Sequence, residues 1–399
     1  MLNEQIICDF LRQSIELIKA ILPPQYHQWN STKIERKANS YTIKPSTRPD
    51  FWHIFTIDRV RHQLLYINEI ARTLEADSRY RGIIGESTVS PWLEPDYVML
   101  STLREYIWQL TQLNYEEQGA RRIANNFLRS LNDASSVIVC YSVVRGLECD
   151  FECYNFSSGI RLRKLTDPEI CQLIEREETL FQDDRLPRNP CLLEQQFQLP
   201  VDQMSDTNVA TANFNEVITA LRLLKEGCVE RQITYTRLEY PGQLGDVGHS
   251  IRAINKRHPI SQSYTLSEAD LPDLEQILTA IKSGRIPVRL QTAVDRVNFA
   301  AERDRAEDQI LDLLIAMEAI FGDSQGAIGY KIGLRCAVFA ENDYEERNRI
   351  SKLINDAYSR RSALVHGGRS KSMGTLKLTT DEIVKELLVL IAIASRVRT

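Results

Sequence analysis

Segments that mark membrane or exported proteins are missing from this chain of 399 residues. No apolar run approaches the ~20 residues that a helix needs to cross a bilayer. Residues 1–5 also lack the basic start that is typical of a signal peptide. The sequence therefore predicts a cytoplasmic protein that has no membrane partner.

A metal-binding or disulfide pattern is missing as well. None of the 8 cysteines lies in a Cys-x-x-Cys pair, and Cys149 and Cys153 have no second ligand pair nearby. Scattered cysteines in apolar or strand-like segments are typical of reduced thiols in a reducing compartment. We therefore expect no disulfide, no metal and no other cofactor.

The chain has little positive charge, since its net charge is −5 and its pI is about 5.8. Without a global basic field, RNA binding requires a local cationic patch. Cations do cluster towards the C-terminus: Arg335, Arg347, Arg349, Lys352, Arg360, Arg361, Arg369 and Lys371. These residues form either an RNA-binding patch or ordinary solvated helix faces.

Helical periodicity dominates the sequence, with one region of strands between helical regions. Residues 1–135 predict helices, among them one at about 116–133. Residues 136–285 predict an α+β region, because β-branched residues and period-two alternation recur at 137–144 and 160–165. Residues 286–399 predict a bundle of four or five helices. The last helix is predicted to begin at Thr379–Glu382, and an earlier helix is predicted to carry an apolar stripe of Ile310, Leu313, Leu314, Met317, Ile320 and Phe321. We therefore expect a mainly α fold with a central α+β region and three domains with these bounds.

One stretch of the C-terminal bundle has the features of a functional site. One helical face is predicted upstream of it, from residues at steps of three and four: Ile350, Leu353, Ile354, Ala357 and Arg361. Gly367 and Gly368 can end that helix. Arg361 and His366 are therefore predicted at the open end of a rigid helix. A similar Arg–His spacing at Arg252 and His258 has no helical period around it.

Three ordered sequence blocks surround this stretch. They are DLLIAMEAIF at 312–321, GLRCA at 333–337 and YSRRSALVHG at 358–367. Together they resemble the HEPN superfamily and, within it, the Apea-like HEPN branch. The resemblance covers about the last quarter of the chain, and a strand pair followed by LTDPE at 165–169 extends it more loosely. It implies a C-terminal HEPN-type helical bundle.

The resemblance also implies a function. HEPN ribonucleases cleave RNA without a metal, and two protomers bring their Arg…His pairs together across a bundle interface. For this chain it implies an endoribonuclease, a toxin-like effector in anti-phage defence by abortive infection, and a homodimer through the C-terminal bundle. The N-terminal part would then sense a trigger, restrain the nuclease or select RNA.

The chemistry of Arg361 and His366 suits that activity. In metal-independent cleavage the 2′-hydroxyl attacks the adjacent phosphate, and the leaving 5′-oxygen takes up a proton. Histidine suits this proton transfer because its ordinary pKa lies near the working pH. Arginine suits the phosphate because its planar fork stays charged and donates two hydrogen bonds. By the resemblance, His366 is the general acid/base and Arg361 clamps the phosphate.

Five further residues are predicted to support the site: Ser362, Glu318, Arg335, Tyr358 and Arg360. Ser362 is a polar helper, and the two arginines belong to the cationic patch. Glu318 either orients Arg361 or Arg335 through an ion pair or forms a buried salt bridge that fixes the bundle. Tyr358 either stacks on a base or packs as an ordinary tyrosine.

The residue after Arg361 leaves a second interpretation open. Many active HEPN ribonucleases carry Asn, Asp or His there, whereas this chain carries Ser362. Together with the acidic pI, this departure favours a non-catalytic HEPN module that binds RNA, nucleotide or a partner protein and dimerises.

Overall fold

The first and the last helix of the described chain begin at side chains that satisfy free amide groups of the first helical turn. The Asn3 side chain accepts a hydrogen bond from the Ile6 amide at 3.0 Å. Thr379 and Glu382 form a reciprocal pair, in which the Thr379 amide donates to the Glu382 carboxylate at 2.7 Å and the Glu382 amide donates to the Thr379 hydroxyl at 3.2 Å. The predicted start of the last helix is thereby confirmed.

The computed structural model describes residues 1–24, 27–28, 33–36, 41–44, 65–84, 94–110, 112–132, 135–167, 169–170, 190–200, 208–225, 227, 229–240, 264–284, 286–303, 305–322, 328–365 and 378–398. Its helices are α1 Glu4–Ile21, α2 Leu65–Glu75, α3 Ser78–Ile84, α4 Pro95–Gln109, α5 Glu117–Asn132, α6 Asn208–Leu224, α7 Leu271–Lys282, α8 Val288–Ala301, α9 Ala306–Phe321, α10 Ile328–Ala340, α11 Tyr344–Val365 and α12 Thr380–Arg398. Its strands are β1 Lys33–Arg36, β2 Tyr41–Lys44, β3 Ser135–Arg145, β4 Leu147–Cys149, β5 Cys153–Asn155, β6 Ile160–Lys164, β7 Cys191–Pro200, β8 Glu230–Tyr240 and β9 Tyr264–Leu266. The described chain is mainly helical with a small sheet region, as predicted.

Contacts within the chain divide it into two compact units. The first unit comprises Met1–Ser142, Gly159–Thr211 and Ile233–Arg252. The second unit comprises Val143–Ser158, Ala212–Gln232 and Ala253–Thr399. Each unit is therefore assembled from separate stretches of sequence, and the division into three consecutive domains stays a prediction.

The first unit packs α1 against α2 and α5. The apolar face of α1 is fully buried at Ile7, Leu11 and Ile15. Its N-terminal end is held by the buried Asp77 carboxylate, which accepts the Leu2 amide at 3.0 Å. Strands β6, β7, β3 and β8 are neighbours in that order in one sheet, and β6 pairs with β7 in antiparallel register.

The second unit contains the helices of the predicted C-terminal bundle. On α9 the predicted apolar stripe is buried: Ile310, Leu313, Leu314, Met317, Ile320 and Phe321. Buried with this stripe is Asp312, whose carboxylate accepts from Arg296 Nη1 and Arg303 Nε, each at 2.8 Å. This carboxylate ties α9 to α8 and to the residues directly after α8.

Helices α10 and α11 pack closely because glycines line their contact. A Cβ atom added at Gly329 would lie 3.2 Å from the Tyr358 ring, and one at Gly333 would lie 3.4 Å from the Ser351 carbonyl. The predicted inner face of α11 is confirmed, since Ile350, Leu353, Ile354 and Ala357 are buried. The contact fixes α11 along its length and so gives Arg361 a rigid support.

None of the helices in the described part of the chain combines the length and the apolar character that crossing a membrane requires.

Candidate functional site

Arg361 lies in the last turns of α11, on the continuation of the helix face that packs into the bundle. Its side chain is 32% exposed, so the guanidinium lies at the edge of the core rather than inside it. A partly exposed guanidinium on a packed helix keeps its position and stays accessible to a ligand.

Glu318 of α9 is the partner of Arg361. Arg361 Nη1 donates to Glu318 Oε1 at 2.6 Å, and the Tyr358 hydroxyl donates to the same oxygen at 2.9 Å. Tyr358 and Arg361 are three residues apart on α11, so both side chains reach one carboxylate. The predicted ion pair between Glu318 and Arg361 is present. It is half-buried, since the Glu318 side chain is 28% exposed.

Tyr358 packs inside this cluster. Its ring lies against Gly329, and the Arg361 guanidinium carbon is 5.9 Å from the ring centre. Burial, followed by the adjacent Glu318 carboxylate, raises the pKa of Tyr358 well above its usual range. The hydroxyl therefore stays protonated and serves as a hydrogen-bond donor, a role that the sequence pattern did not indicate.

The other predicted arginines bind backbone oxygens. Arg335 Nη1 donates to the Phe321 carbonyl at 2.7 Å, at the end of α9, whereas the ion pair of Glu318 is with Arg361. Arg360 donates to the Leu378 carbonyl, directly before the last helix. Arg335 thereby ties α10 to the end of α9, and Arg360 ties α11 to the residues that precede α12.

The predicted cationic patch is in part neutralised. Arg349 pairs with Glu346 at 2.7 Å and Glu386 at 3.0 Å, and Arg347 donates to the Glu341 carbonyl at 2.7 Å. Lys352 is exposed. Arg369 and Lys371 lie outside the described residues.

Ser362 is exposed beside Arg361. His366, Gly367 and Gly368 lie outside the described residues, so the structure gives no distance between Arg361 and His366. The structure does bring together Arg361, Glu318 and Tyr358, and it directs Arg335 and Arg360 to the backbone carbonyls of Phe321 and Leu378.

Within the described ranges, no group of three or more His, Cys, Asp or Glu side chains is arranged to hold a metal ion. No family model, curated protein or solved structure matches this chain. The resemblance to Apea-like HEPN proteins stays a prediction from the three sequence blocks.

The cluster can bind an anionic group in a defined orientation. Glu318 engages one nitrogen of Arg361, and the contacts of the described residues leave the Nη2 and Nε groups of the fork available. The cost is electrostatic, because the Glu318 carboxylate cancels much of the field that would attract a phosphate. The arrangement favours precise placement of an anion over strong attraction.

Proposed function

We propose that this chain is a HEPN-type endoribonuclease that cleaves RNA by 2′-hydroxyl attack without a metal. The supporting observation is Arg361, which is fixed and partly exposed in the last turns of α11 and which precedes His366 by five residues in the sequence. Arg361 clamps the scissile phosphate, and His366 transfers the proton. The sequence resemblance adds the role of a toxin-like effector in anti-phage defence.

In this proposal Glu318 and Tyr358 position the arginine. A guanidinium that is already held does not lose its side-chain freedom when the phosphate binds, so less conformational entropy opposes binding. Ser362, exposed on the next position of the helix, is close enough in sequence to add a polar contact to the RNA.

A second copy of the chain would complete the site. Tyr330, Leu334 and Val338 recur every four residues along α10 and are 63%, 50% and 53% exposed. Large apolar side chains aligned on one helix face are typical of an interaction surface. This stripe begins next to Gly329, which contacts Tyr358, so a second copy docked there would lie beside the arginine cluster.

Incubation of the full-length protein with total RNA in EDTA tests the activity. We expect cleavage that leaves 2′,3′-cyclic phosphate ends and that is lost in Arg361→Gln and His366→Ala. His258→Ala is the matched control, because His258 follows an arginine at a similar spacing outside the proposed site. Cleavage that persists in both site variants would refute the proposal.

Sedimentation velocity tests whether the chain forms a dimer and whether cleavage requires that dimer. Leu334→Asp should shift the protein from dimer to monomer and abolish cleavage in the same samples. Val288→Asp places a charge on another exposed apolar residue, 84% exposed on α8, and should leave the dimer intact. A monomeric wild-type protein that cleaves RNA would contradict the two-protomer site.

The alternative is a non-catalytic HEPN module that binds RNA, nucleotide or a partner protein. Ser362 in place of the more usual amide, acid or histidine favours it, as does the neutralisation of Arg361 by Glu318. Two results together would support this alternative. The wild-type chain would bind RNA, and Arg361→Gln would lose that binding. The wild-type chain would not cleave RNA, even under the conditions in which its expression inhibits growth.

A further inference from the structure

A groove of about 1090 Å³ lies in the second unit along α7 and α8. Its walls include Ile281 of α7 and Leu290 and Val294 of α8, which are all half-exposed. Its floor includes Ile320 of α9 and Ile391 of α12, which are buried. The groove shares no lining residue with the arginine cluster.

The size and lining of the groove fit a small molecule. Binding sites for small organic ligands have volumes of roughly 300–1,000 Å³ and mainly apolar walls with a few polar groups. Each half-exposed aliphatic side chain that a ligand covers adds favourable free energy, because apolar surface leaves water. An apolar ligand in the groove would therefore gain binding free energy by covering aliphatic side chains that are partly exposed to water in the folded chain.

The described charged residues that line the groove are all acidic. Glu268 and Glu275 are the charged residues of its lining, and no Lys, Arg or His is among the described lining residues. Acyl anions and nucleotides would bring negative charge next to two carboxylates, without a compensating cation among the described lining residues. The lining therefore disfavours anionic ligands and favours cationic ones.

Glu275 is held in place as a ligand-facing acceptor. The Ser157 amide donates to its Oε1 atom at 3.0 Å, and the Ser157 hydroxyl donates to the same oxygen. Its second oxygen, Oε2, has the Tyr154 hydroxyl at 3.4 Å, which is a long contact. Oε2 thus has room to accept a hydrogen bond from a bound ammonium group.

We propose that this groove binds a small organic amine, with its apolar body along Leu290 and Val294 and its ammonium group at Glu275. The inference does not depend on the proposed ribonuclease activity, because it rests on different side chains. It predicts selectivity by charge among ligands that have the same apolar chain.

The experiment uses the full-length protein and the neutral fluorescent probe N-phenyl-1-naphthylamine, which brightens in apolar sites. Dodecylamine, dodecanol and dodecanoate then compete for the probe below their micelle concentrations. We expect the amine to compete about fivefold better than the alcohol, which corresponds to roughly 1 kcal/mol for a partly exposed charge pair, and the acid to compete worst.

Variants locate the site. Glu275→Gln should remove the advantage of the amine over the alcohol, while Asp295→Asn, an exposed acidic residue of α8 outside the lining, should leave it unchanged. Ala280→Trp fills the groove and should abolish probe binding. If Ala280→Trp does not fold, Thr279→Trp serves as the second groove-filling variant, because Thr279 lies at an exposed position of the rim. Equal competition by amine and acid, or probe binding that survives both tryptophan variants, would overturn the proposal.

Discussion

Replacement of Glu318 by glutamine is the sharpest test of how the arginine cluster is held. The glutamine keeps the shape of the side chain and one carbonyl oxygen, so it removes the charge with little change in packing. In the wild-type protein this carboxylate accepts from Arg361 at 2.6 Å and from Tyr358 at 2.9 Å. The variant should therefore destabilise the second unit and release Arg361.

The magnitude follows from distance and exposure. Two unit charges about 4 Å apart attract by roughly 4 kcal/mol at an effective dielectric constant of about 20. The Arg361 and Glu318 side chains are 32% and 28% exposed, so solvent screening and desolvation remove most of this energy. We expect a net coupling of about 1 kcal/mol between the two residues, which is a shift of roughly 3 °C in a unit of this size.

A double-mutant cycle measures the coupling. It compares thermal unfolding of the wild-type protein, Glu318→Gln, Arg361→Gln and the double variant. Far-UV circular dichroism follows helices throughout the chain, whereas tryptophan fluorescence follows the first unit, because all 4 tryptophans lie within residues 1–142. We expect the circular-dichroism transition to move and the fluorescence transition to stay.

Tyr358→Phe is the control within the cluster, since it removes one donor and leaves the ion pair in place. It should cost about 1 kcal/mol through the lost hydrogen bond and leave the Glu318–Arg361 coupling near its wild-type value. Additive effects of Glu318→Gln and Arg361→Gln would show that the pair contributes no coupling, and the argument that Glu318 positions Arg361 would fail.

Three further predictions concern buried titratable groups. Hydrogen bonds from Arg79 hold the pKa of Asp77 well below its usual range, so its stabilising effect is present above the unfolded pKa of about 3.9 and is lost as the pH falls below it. Asp77→Asn should therefore lower the fluorescence-detected melting temperature at pH 7 and flatten its decline between pH 5 and 3; an unchanged pH profile would contradict this. Asp312→Asn removes a buried carboxylate from two partly exposed arginines and should destabilise the second unit by about 2 kcal/mol, seen by circular dichroism, whereas a neutral result would mean that solvation of the arginines offsets the loss. Burial raises the pKa of the Cys336 thiol to about 12, so peptide mapping after maleimide treatment at pH 8 should find Cys153 labelled and Cys336 labelled only after unfolding.

Local sequence determined the helices of the C-terminal part. The steps of three and four along α9 and α11 predicted their buried faces, and the Thr379–Glu382 pair predicted the start of α12. These features are encoded within one or two helical turns, because capping bonds and helix faces involve residues three to seven positions apart. The resemblance that suggests a ribonuclease also rests on sequence alone.

Tertiary structure decided which side chains pair with one another at the candidate site. Glu318 and Arg361 are 43 residues apart, and the sequence left Arg335 as an equal candidate. Only the packing of α9, α10 and α11 places Arg335 on the Phe321 carbonyl and brings the Tyr358 hydroxyl to the same oxygen as Arg361. The sequence pattern likewise did not predict the groove along α7 and α8. An aliphatic residue that lines a groove and one that is buried in the core have the same appearance in a sequence, and only the folded chain distinguishes them. Side-chain type and period specify which face is buried, and only the folded chain specifies which atoms meet there.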